Sequence, residues 1–474
     1  MSITTLRLQN FRGFQDAKID LKPLTVLLGP NSAGKSSFGH ALAAMAHAHR
    51  LFANTPQATL TPADDASVWP VDLGFTRDLR THGALGPVKI GLRTSEGWID
   101  LGFGSDSIAE LLPSYIRHPR GFQDPERSGV VPSTTSPQLS ESSQIAQTGV
   151  EVFRPEQNDT ARYYELHRSG VMQWQENRED VFVILDGLVL KAATHKSGTA
   201  SLLSGTSQTE LGSFLGNLSY LRATRRRPSR TYENRIGKPQ PIGYEGEWTA
   251  TLLNKQGLDP VTYANLPRIP ETVEEAQRLI GTTLARETGT LIGAVQTWLK
   301  RLGLATALSS KPVDEDPDRL EILAALEDQK AHNLTEIGFG VSQVLPILTA
   351  GLLQRENSLF IVDLPEAHLH PRPQSDLADF FCSLALSNRF SLVETHSEMF
   401  FHRLRLRAEM DENLARSIAV YFIDRPRNGL CCDPREVELG VEKQYTWPVG
   451  FLQEAWEIES QIELVRQAKA LLKK

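Results

Sequence analysis

Cysteine is scarce in this sequence, and long apolar runs are missing from it. Only 3 of the 474 residues are cysteine, and two of these, Cys431 and Cys432, are adjacent. With Cys382 as the third, this pattern excludes a disulfide framework and fits a reducing cytoplasm. No stretch approaches the roughly 20 continuous apolar residues that a membrane-spanning helix needs. The first residues, Met1 to Leu8, alternate like a strand and lack the apolar core of a signal peptide. We therefore expect a cytoplasmic protein without a membrane segment.

The sequence also lacks an excess of positive charge. Lysine and arginine number 50 and aspartate and glutamate 57, so the formal net charge is −7. This balance excludes a uniformly basic nucleic-acid binder but leaves room for a local basic patch. A composition of 40% hydrophobic and 23% charged residues indicates a globular protein with a core. It argues against collagen-like, coiled-coil or wholly disordered chains.

Strand and helix patterns near both ends of the chain predict one α/β domain that is interrupted by an insertion. The length alone indicates about three domains. We expect residues 1–105 and 326–474 to form the two parts of the α/β domain, and residues 106–325 to form a mixed α+β insertion. Residues 121–147 are rich in Ser, Pro, Gln and Thr, which predicts a long disordered loop.

A phosphate-binding sequence stands near the N-terminus. Gly29 to Ser36, GPNSAGKS, matches G-x-x-x-x-G-K-[ST] without a mismatch, follows the apolar run Leu24–Leu28 and opens a helical stretch. The glycines let successive backbone N–H groups face phosphate oxygens, and the helix start adds positive potential. Lys35 would reach the β- and γ-phosphates, and the Ser36 hydroxyl would bind Mg²⁺. The alternative is an ordinary glycine-containing turn.

Two further strand patterns end in polar groups. The apolar run Leu359–Asp363 ends in a carboxylate, and we expect Asp363 to hold Mg²⁺ through water. The next strand pattern ends at Glu394-Thr395-His396-Ser397, at the edge where a parallel sheet presents its ligand-facing groups. There His396 could contact a γ-phosphate or orient the attacking water. It could also be a hydrogen-bonded core histidine.

Between these strands, Pro365 to Pro371 contains one carboxylate, Glu366, and two imidazoles, His368 and His370. The two histidines could ligate a metal together with His396, although no cysteine supports a structural zinc site. Alternatively, either of the two could cap the helix that the following proline begins.

A short glycine and serine sequence precedes another apolar helix. Gly338-Phe339-Gly340-Val341-Ser342-Gln343 leaves backbone donors and a hydroxyl at a helix N-terminus, which is a second anion-binding arrangement. Because the chain already has one phosphate loop, we expect Gly340 and Ser342 to complete the nucleotide site of a second subunit. The alternative is a simple helix cap.

In this order, these sequences resemble the ABC-type ATPase heads of the RecF, SMC and OLD (overcoming lysogenisation defect) group. The strings PEAHLHP and ETHS are particularly similar to stand-alone bacterial AAA-family ATPases close to OLD proteins, many of them from anti-phage systems. The closing WPVGF at 447–451 resembles a C-terminal motif in part of that group. The resemblance covers roughly residues 1–105 and 330–455.

The resemblance implies ATP and Mg²⁺ as cofactors and assigns roles to individual residues. Arg12, in the opening NFRGF, would contact nucleotide. The Walker A loop would bind it, the signature motif would act from the partner subunit, Asp363 would be the Walker B acid and His396 the switch histidine. The predicted nucleotide-binding residues are Arg12, Asn31, Ser32, Ala33, Gly34, Lys35, Ser36, Ser37, Gly340 and Ser342.

Two departures from the family pattern matter. Leu364 stands where such heads usually carry the catalytic glutamate, so either Glu366 polarises water or hydrolysis is slow and ATP acts as a clamp. We favour Glu366, with Lys35 and His396, as the catalytic set. OLD nucleases also carry a Toprim domain after the switch histidine, and no such acidic constellation follows His396 here. A nuclease is therefore expected as a separate partner.

A cluster of arginines lies in the predicted insertion, with Tyr220 and Tyr232 interleaved. Arginine forks suit phosphate and aromatic rings can stack on bases, so the cluster could bind DNA or RNA. It could equally pair with carboxylates of the protein, bind nucleotide or dock a partner. Its members are Arg222, Arg225, Arg226, Arg227, Arg230 and Arg235.

The sequence therefore predicts an α/β ABC-type P-loop ATPase head, split by an insertion, that closes as a homodimer or higher homo-oligomer on Mg·ATP. We expect it to control a separate effector such as a nuclease, in phage defence or DNA maintenance. The alternatives are a RecF-like repair ATPase that binds DNA directly, an ATP-organised scaffold with little turnover, and a nuclease that uses Glu366, His368 and His370.

Overall fold

The computed structural model describes most of the two α/β segments and the strands between them. The described residues are 3–54, 81, 88–94, 97–103, 113–117, 148–152, 162–166, 171–174, 179–186, 189–195, 200–202, 206–234, 242–280, 285–326, 330–424, 430–431, 433–439 and 456–472. The loop expected at 121–147 lies outside them.

The strands, in chain order, are β1 (Thr5–Phe11), β2 (Phe14–Asp20), β3 (Leu24–Leu28), β4 (Val88–Thr94), β5 (Gly97–Phe103), β6 (Pro113–Arg117), β7 (Thr148–Val152), β8 (Arg162–Leu166), β9 (Val171–Trp174), β10 (Glu179–Asp186), β11 (Val189–His195), β12 (Ala200–Leu202), β13 (Ser219–Leu221), β14 (Tyr232–Glu233), β15 (Pro260–Ala264), β16 (Arg286–Thr290), β17 (Ala307–Val313), β18 (Asp316–Ala325), β19 (His332–Asn333), β20 (Leu359–Asp363), β21 (Phe390–Glu394), β22 (Ile418–Phe422) and β23 (Arg435–Glu436).

The helices are α1 (Ser36–Asn54), α2 (Thr206–Phe214), α3 (Thr249–Gln256), α4 (Val273–Leu279), α5 (Leu291–Arg301), α6 (Phe339–Leu353), α7 (Pro371–Ala385), α8 (Glu398–Met410), α9 (Glu412–Arg416) and α10 (Trp456–Leu472). None of these helices is both long and apolar enough to cross a membrane.

The chain forms two compact units. Unit 1 comprises Met1–Leu21, Asn31–Gly216 and Ile423–Pro434, and unit 2 comprises Lys22–Pro30, Asn217–Phe422 and Arg435–Lys474.

Unit 1 contains two antiparallel sheets. The first has the strand order β2-β1-β4-β5-β6, and the second has the order β12-β11-β10-β9-β8-β7. In the first sheet, β1 alternates inward apolar and outward polar side chains, as a strand with one buried face requires. Its Leu6 pairs with Ile19 on one side and with Leu92 on the other, and all three side chains are buried.

Unit 2 is built on a six-stranded sheet with the order β13-β20-β21-β3-β22-β23. The first five strands are parallel, and β23 alone pairs antiparallel. Every residue of β3, β20 and β22 is buried, and their near-continuous apolar sequences are typical of strands covered on both faces. This sheet, with its flanking helices, confirms the predicted α/β fold class.

Helices α5 to α8 cover the parallel sheet with an aromatic core. The indole of Trp298 packs edge-on against Phe380, with ring centroids 5.2 Å apart, and Phe380 in turn meets Phe381 at 5.6 Å. A smaller apolar cluster joins α4, α8 and α10 through Ala276, Leu406 and Ile462. Both clusters lie within unit 2.

The compact units do not follow the domain boundaries expected from the sequence. Residues 217–325, expected in the insertion, share unit 2 with the parallel sheet, and β13 is one of its strands. β13 is only three residues long, Ser219–Leu221, and its parallel partner β20 is more than a hundred residues away. A strand this short and this distant from its partner gives little periodic signal in the sequence.

Candidate nucleotide and metal site

The phosphate-binding sequence forms a loop between a strand and a helix, as the motif requires. β3 ends at Leu28 and α1 begins at Ser36. Between them, Gly29, Ser32 and Gly34 have φ values of 142°, 62° and 97°. Only glycine readily adopts the values found at positions 29 and 34. These angles give the loop the shape in which backbone N–H groups can face an anion.

Side chains of the loop differ in their exposure. Lys35 is 2% exposed, and Ala33 and Ser37 are buried, whereas Asn31 and Ser32 are exposed. The backbone N–H of Ser37 donates to the carbonyl of Gly34, which closes the first turn of the helix. The roles predicted for these residues in binding nucleotide, and for Ser36 in binding Mg²⁺, stay predictions.

Cys431 lies beside this loop within unit 1. Its backbone N–H donates to the carbonyl of Gly13, and a Cβ placed on Gly34 would lie 2.7 Å from its Sγ and 3.1 Å from the ring of Phe14. Glycine at position 34 is therefore required both by the backbone angle and by its neighbours.

Arg12, predicted to contact nucleotide, has a φ of 51°, and its Nη1 lies 2.6 Å from Nδ1 of His40.

In unit 2, the carboxyl ends of four parallel strands lie level with one another. Asp363 at the end of β20 is in register with Glu394 at the end of β21, which is in register with Leu27 of β3. Phe422 of β22 pairs with Leu28. The chain leaves this edge at Gly29 to begin the phosphate-binding loop. Asp363, Glu394 and the start of that loop thus share the ligand-facing edge of one sheet, as the sequence predicts.

Asp363 is 9% exposed and is held by a tyrosine that we did not assign to the site. The hydroxyl of Tyr220 donates to Oδ2 of Asp363 at 2.6 Å. Burial, reinforced by the charge of Glu394, raises the pKa of Asp363 to about 7, against the lowering effects of the Tyr220 hydrogen bond, Arg225 and Arg222. A carboxyl group in this state gains from a divalent cation, which favours its charged form.

Arg225 approaches the same strand end from the loop after β13. Its Nη2 donates to the carbonyl oxygens of Asp363 at 2.8 Å and Leu364 at 3.0 Å. Burial lowers its pKa to about 10, while Glu366 and Asp363 act in the opposite direction. Tyr220 lies within the short run Leu218 to Leu221 and Arg225 follows it, and this run is the one local signal in the sequence for a strand there.

Glu366 and His396, predicted as catalytic residues, are brought together. Oε1 of Glu366 accepts a 2.7 Å hydrogen bond from the backbone N–H of His396, and Oε2 is buried and has no hydrogen-bond partner among the described residues. Leu364, with a φ of 45°, donates its N–H to the carbonyl of Glu394 at 2.8 Å. Leu364 begins the turn that carries Glu366, since the N–H of Ala367 donates to the Leu364 carbonyl at 3.1 Å.

The two remaining histidines of the segment are exposed. Among the described residues no group of three or more His, Cys, Asp or Glu could hold a metal ion, so His368, His370 and His396 do not form the metal site considered above. His370 occupies the N-cap position of α7, but its side chain makes no capping hydrogen bond. The ring of His368 packs on Phe339, with centroids 5.7 Å apart.

Neither Gly340 nor Ser342 caps α6, so that alternative was wrong. The helix begins at Phe339, and both residues lie in its first turn, where the Ser342 hydroxyl donates to the carbonyl of Phe339 at 2.7 Å. The cap position is Gly338, which offers no side chain. A role for Gly340 and Ser342 in a second subunit's site stays a prediction.

The arginine cluster does not form one continuous surface. Arg225 is 4% exposed, and Tyr220 and Tyr232 are buried, so these three cannot contact a nucleic acid as the sequence suggested. Arg222 lies over the ring of Tyr244, and Arg230 pairs with Glu336 at 3.3 Å. Arg226, Arg227 and Arg230 are exposed, and Arg235 lies outside the described residues.

Two family models match separate segments of the chain. Residues 1–91 match "AAA ATPase domain", and residues 209–401 match "AAA domain, putative AbiEii toxin, Type IV TA system". The chain therefore carries AAA-type ATPase sequence in two segments. The first includes the phosphate-binding loop, and the second includes Tyr220, Arg225, Asp363 and Glu366. No curated protein matches the chain.

Solved structures similar to this chain include three SMC heads. The SMC head domain from Thermotoga maritima has 10% identity and a TM-score of 0.36, covering 93% of this chain and 100% of that one. The SmcHead bound to the C-winged helix domain of ScpA has 10% identity and a TM-score of 0.39, covering 93% and 99%. The Smc head domain with an extended coiled coil, bound to the C-terminal domain of ScpA derived from Pyrococcus furiosus, has 11% identity and a TM-score of 0.38, covering 92% and 96%.

Proposed function

We propose that this protein binds Mg·ATP and hydrolyses it with Glu366 as the residue that orients and activates water. The observation that carries the proposal is the carboxyl edge of the parallel sheet in unit 2. There Asp363 ends one strand, Glu366 contacts the loop after the next strand, and the phosphate-binding sequence leaves a third. The AAA-type family matches of both segments support an ATPase.

The residues present fit a magnesium nucleotide. The loop from Gly29 to Ser36 offers backbone donors and a lysine to phosphates, and Asp363 offers a buried carboxylate to a cation. Bound Mg²⁺ would neutralise charge that develops on the phosphates. Oε1 of Glu366 accepts from the N–H of His396, and Oε2 has no partner in the part of the chain that the structure describes, so Oε2 is the atom that can accept a proton from water.

The first test is the turnover of purified protein. We expect Mg²⁺-dependent ATP hydrolysis by the wild type and its loss in Lys35→Ala, because a phosphate loop without its lysine cannot position the β- and γ-phosphates. Lys300→Ala removes an exposed lysine at the C-terminal end of α5 and serves as the matched control. Wild-type turnover in Lys35→Ala would contradict the proposal, as would the absence of turnover in the wild type.

The proposal includes a dimer in which each nucleotide site takes Ser342 from the partner subunit. A mixing experiment tests it directly. Lys35→Ala and Ser342→Arg should each be inactive alone. A mixed dimer, however, joins the intact lysine of one subunit to the intact serine of the other, so mixing should restore turnover. Failure of the mixture to recover activity, in variants shown to exchange subunits, would contradict a shared site.

We further propose that ATP-driven closure controls a separate effector in phage defence or DNA maintenance. The description of the second family model, which names a toxin of a type IV TA system, is compatible with such a role. The efficiency of phage plating on cells that express this protein with its neighbouring genes tests it. Protection should be lost in Lys35→Ala and kept in Lys300→Ala; equal plating with and without the wild type would contradict it.

Direct DNA binding is a second candidate, favoured by the exposure of Arg226, Arg227 and Arg230. The triple change of these residues to Gln should then weaken binding and reduce the slope of affinity against salt concentration, because fewer counterions are released. Arg225→Gln should leave binding intact, since that side chain is buried. Binding that is insensitive to the triple change would exclude this surface.

A further inference from the structure

One buried arginine in unit 2 has most of its donors unpaired among the residues that the structure describes. The guanidinium of Arg225 uses only Nη2, which bonds the carbonyls of Asp363 and Leu364. Nε and Nη1 are buried and have no hydrogen-bond partner in the described part of the chain. Burying a donor without a hydrogen bond destabilises the folded protein. Such an arginine therefore indicates a functional role, or a partner that binds it in another state of the protein.

The carboxylate of Glu366, which also has a buried oxygen unpaired among the described residues, affects the pKa of Arg225. The charge of Glu366 favours the protonated form of Arg225, second only to the opposing effect of burial. Oε2 of Glu366 is likewise buried without a hydrogen-bond partner, while Oε1 is held by the N–H of His396. Among the described residues, buried and unpartnered atoms of opposite charge thus occur on an arginine and a carboxylate that interact electrostatically near Asp363.

We propose that Arg225 is a positioning residue for hydrolysis, which fixes the chain at Asp363–Leu364 and thereby the position of the Glu366 carboxylate. Its planar fork can bond two carbonyls with one nitrogen and still present Nε and Nη1 toward a carboxylate or a bridging water. This inference rests on the proposed ATPase function. It removes Arg225 from the nucleic-acid surface that the arginine cluster suggested.

The test compares Arg225→Lys with a second buried arginine. Lysine keeps the charge but loses the fork, so we expect kcat to fall by about 10²-fold, the cost of misplacing a catalytic group by about 1 Å. KM for ATP should change little, because the loop of Lys35 is untouched. Arg225→Gln, which keeps two N–H donors and loses the charge, provides a second variant if Arg225→Lys does not fold.

Arg389 offers a matched control at the opposite edge of the sheet. It precedes β21, is 7% exposed, donates to the carbonyls of Gly351 and Thr262, and also has a buried Nε without a partner. Arg389→Lys should lower the unfolding temperature by an amount similar to Arg225→Lys. It should leave kcat unchanged, which separates loss of stability from loss of positioning.

A double-mutant cycle, measured in single turnovers, decides whether Arg225 acts through Glu366. In a Glu366→Gln background, Arg225→Lys should cost no further rate, because the group that it positions is already absent. An unchanged kcat in Arg225→Lys, or an equal loss in both backgrounds, would overturn the inference while leaving the ATPase proposal intact. A wild type without turnover would overturn both.

Discussion

The hydroxyl of Tyr220 donates a 2.6 Å hydrogen bond to Oδ2 of Asp363, so an edge strand holds the carboxylate that ends its neighbour. Both groups are buried, and burial together with the charge of Asp363 raises the pKa of Tyr220 well above its usual value. The tyrosine therefore remains a donor at all ordinary pH values. It fixes one oxygen of Asp363, Oδ2.

The first prediction concerns this hydrogen bond. Tyr220→Phe should raise the Mg²⁺ concentration required for half-maximal ATP turnover by about 10-fold, because groups that orient a metal-binding carboxylate contribute about 10–100-fold to metal affinity. A magnesium titration of turnover measures it. Tyr263→Phe is the control, since its hydroxyl donates to Glu287 at 2.8 Å in a different sheet. Equal titrations for both variants would contradict a role for Asp363 in binding Mg²⁺.

The second prediction separates the two candidate positions for the catalytic glutamate. Glu366→Gln keeps an oxygen for the N–H of His396 but cannot accept a proton, so it should retain ATP binding and lose about 10²-fold or more in turnover. Leu364→Glu, added to Glu366→Gln, should not restore the rate, because the carboxylate that contacts the N–H of His396 comes from position 366. Recovery in the double variant would place the catalytic glutamate at 364. Turnover assays and equilibrium ATP binding provide the measurements.

The third prediction concerns the phosphate-binding loop. Gly34→Ala should abolish nucleotide binding and destabilise the protein by about 1–3 kcal/mol, since alanine is strained at a φ of 97°. Adding Cys431→Ala removes the neighbouring sulfur but not the backbone strain, so it should not restore binding. Gly212→Ala is the control, because a Cβ there meets nothing within 4 Å. Nucleotide titration and thermal unfolding test all three.

The fourth prediction concerns a buried ion-pair cluster that joins α7 to α8. Asp379 accepts hydrogen bonds from Arg407 at 2.6 and 2.7 Å and from Arg403 at 3.1 Å. Asp379→Asn should lower the free energy of unfolding by about 3–5 kcal/mol, because it leaves buried arginine charge without its partner. Asp316→Asn, in an exposed pair with Arg319, should cost about 0–1 kcal/mol.

The same cluster gives a dependence of stability on pH. Burial alone would raise the pKa of Asp379, but Arg407 and Arg403 outweigh it and the pKa is lowered. Stabilisation by Asp379 is then present above its unfolded-state pKa of about 3.9 and is lost as the pH falls through the lower native value. Unfolding measured from pH 7 down to 3 should show a steeper acid loss in the wild type than in Asp379→Asn. Parallel curves would contradict it.

The buried strands and the phosphate-binding loop could be predicted from the sequence, because neighbouring residues determine them. The runs Leu24–Leu28 and Leu359–Asp363 form strands with those bounds, because continuous apolar residues ending at a glycine or a carboxylate suit buried parallel strands. The loop between β3 and α1 also follows from its own residues. Similarly, the predicted proximity of Glu366 to His396 follows from two adjacent strands in one parallel sheet.

What the sequence could not predict depends on contacts between distant residues. Tyr220 and Asp363 are 143 residues apart, and only the pairing of β13 with β20 brings them together. The arginines near Tyr220 are similar in composition, and nothing local shows that Arg225 is buried while Arg226 and Arg227 are exposed. Burial of a charge is decided by the strand end on which it packs, and that strand comes much later in the chain.

The position of β3 between β21 and β22 determines when the phosphate-binding loop can take shape during synthesis. The ribosome completes the sequence from Leu24 to Ser36 early, but both strands that hydrogen-bond β3 are made only after residue 389. Contacts of such large sequence separation form slowly, and the apolar strand stays unpaired until then. A growing chain that ends before residue 390 thus contains every residue of the loop and neither of the two strands that pair with β3.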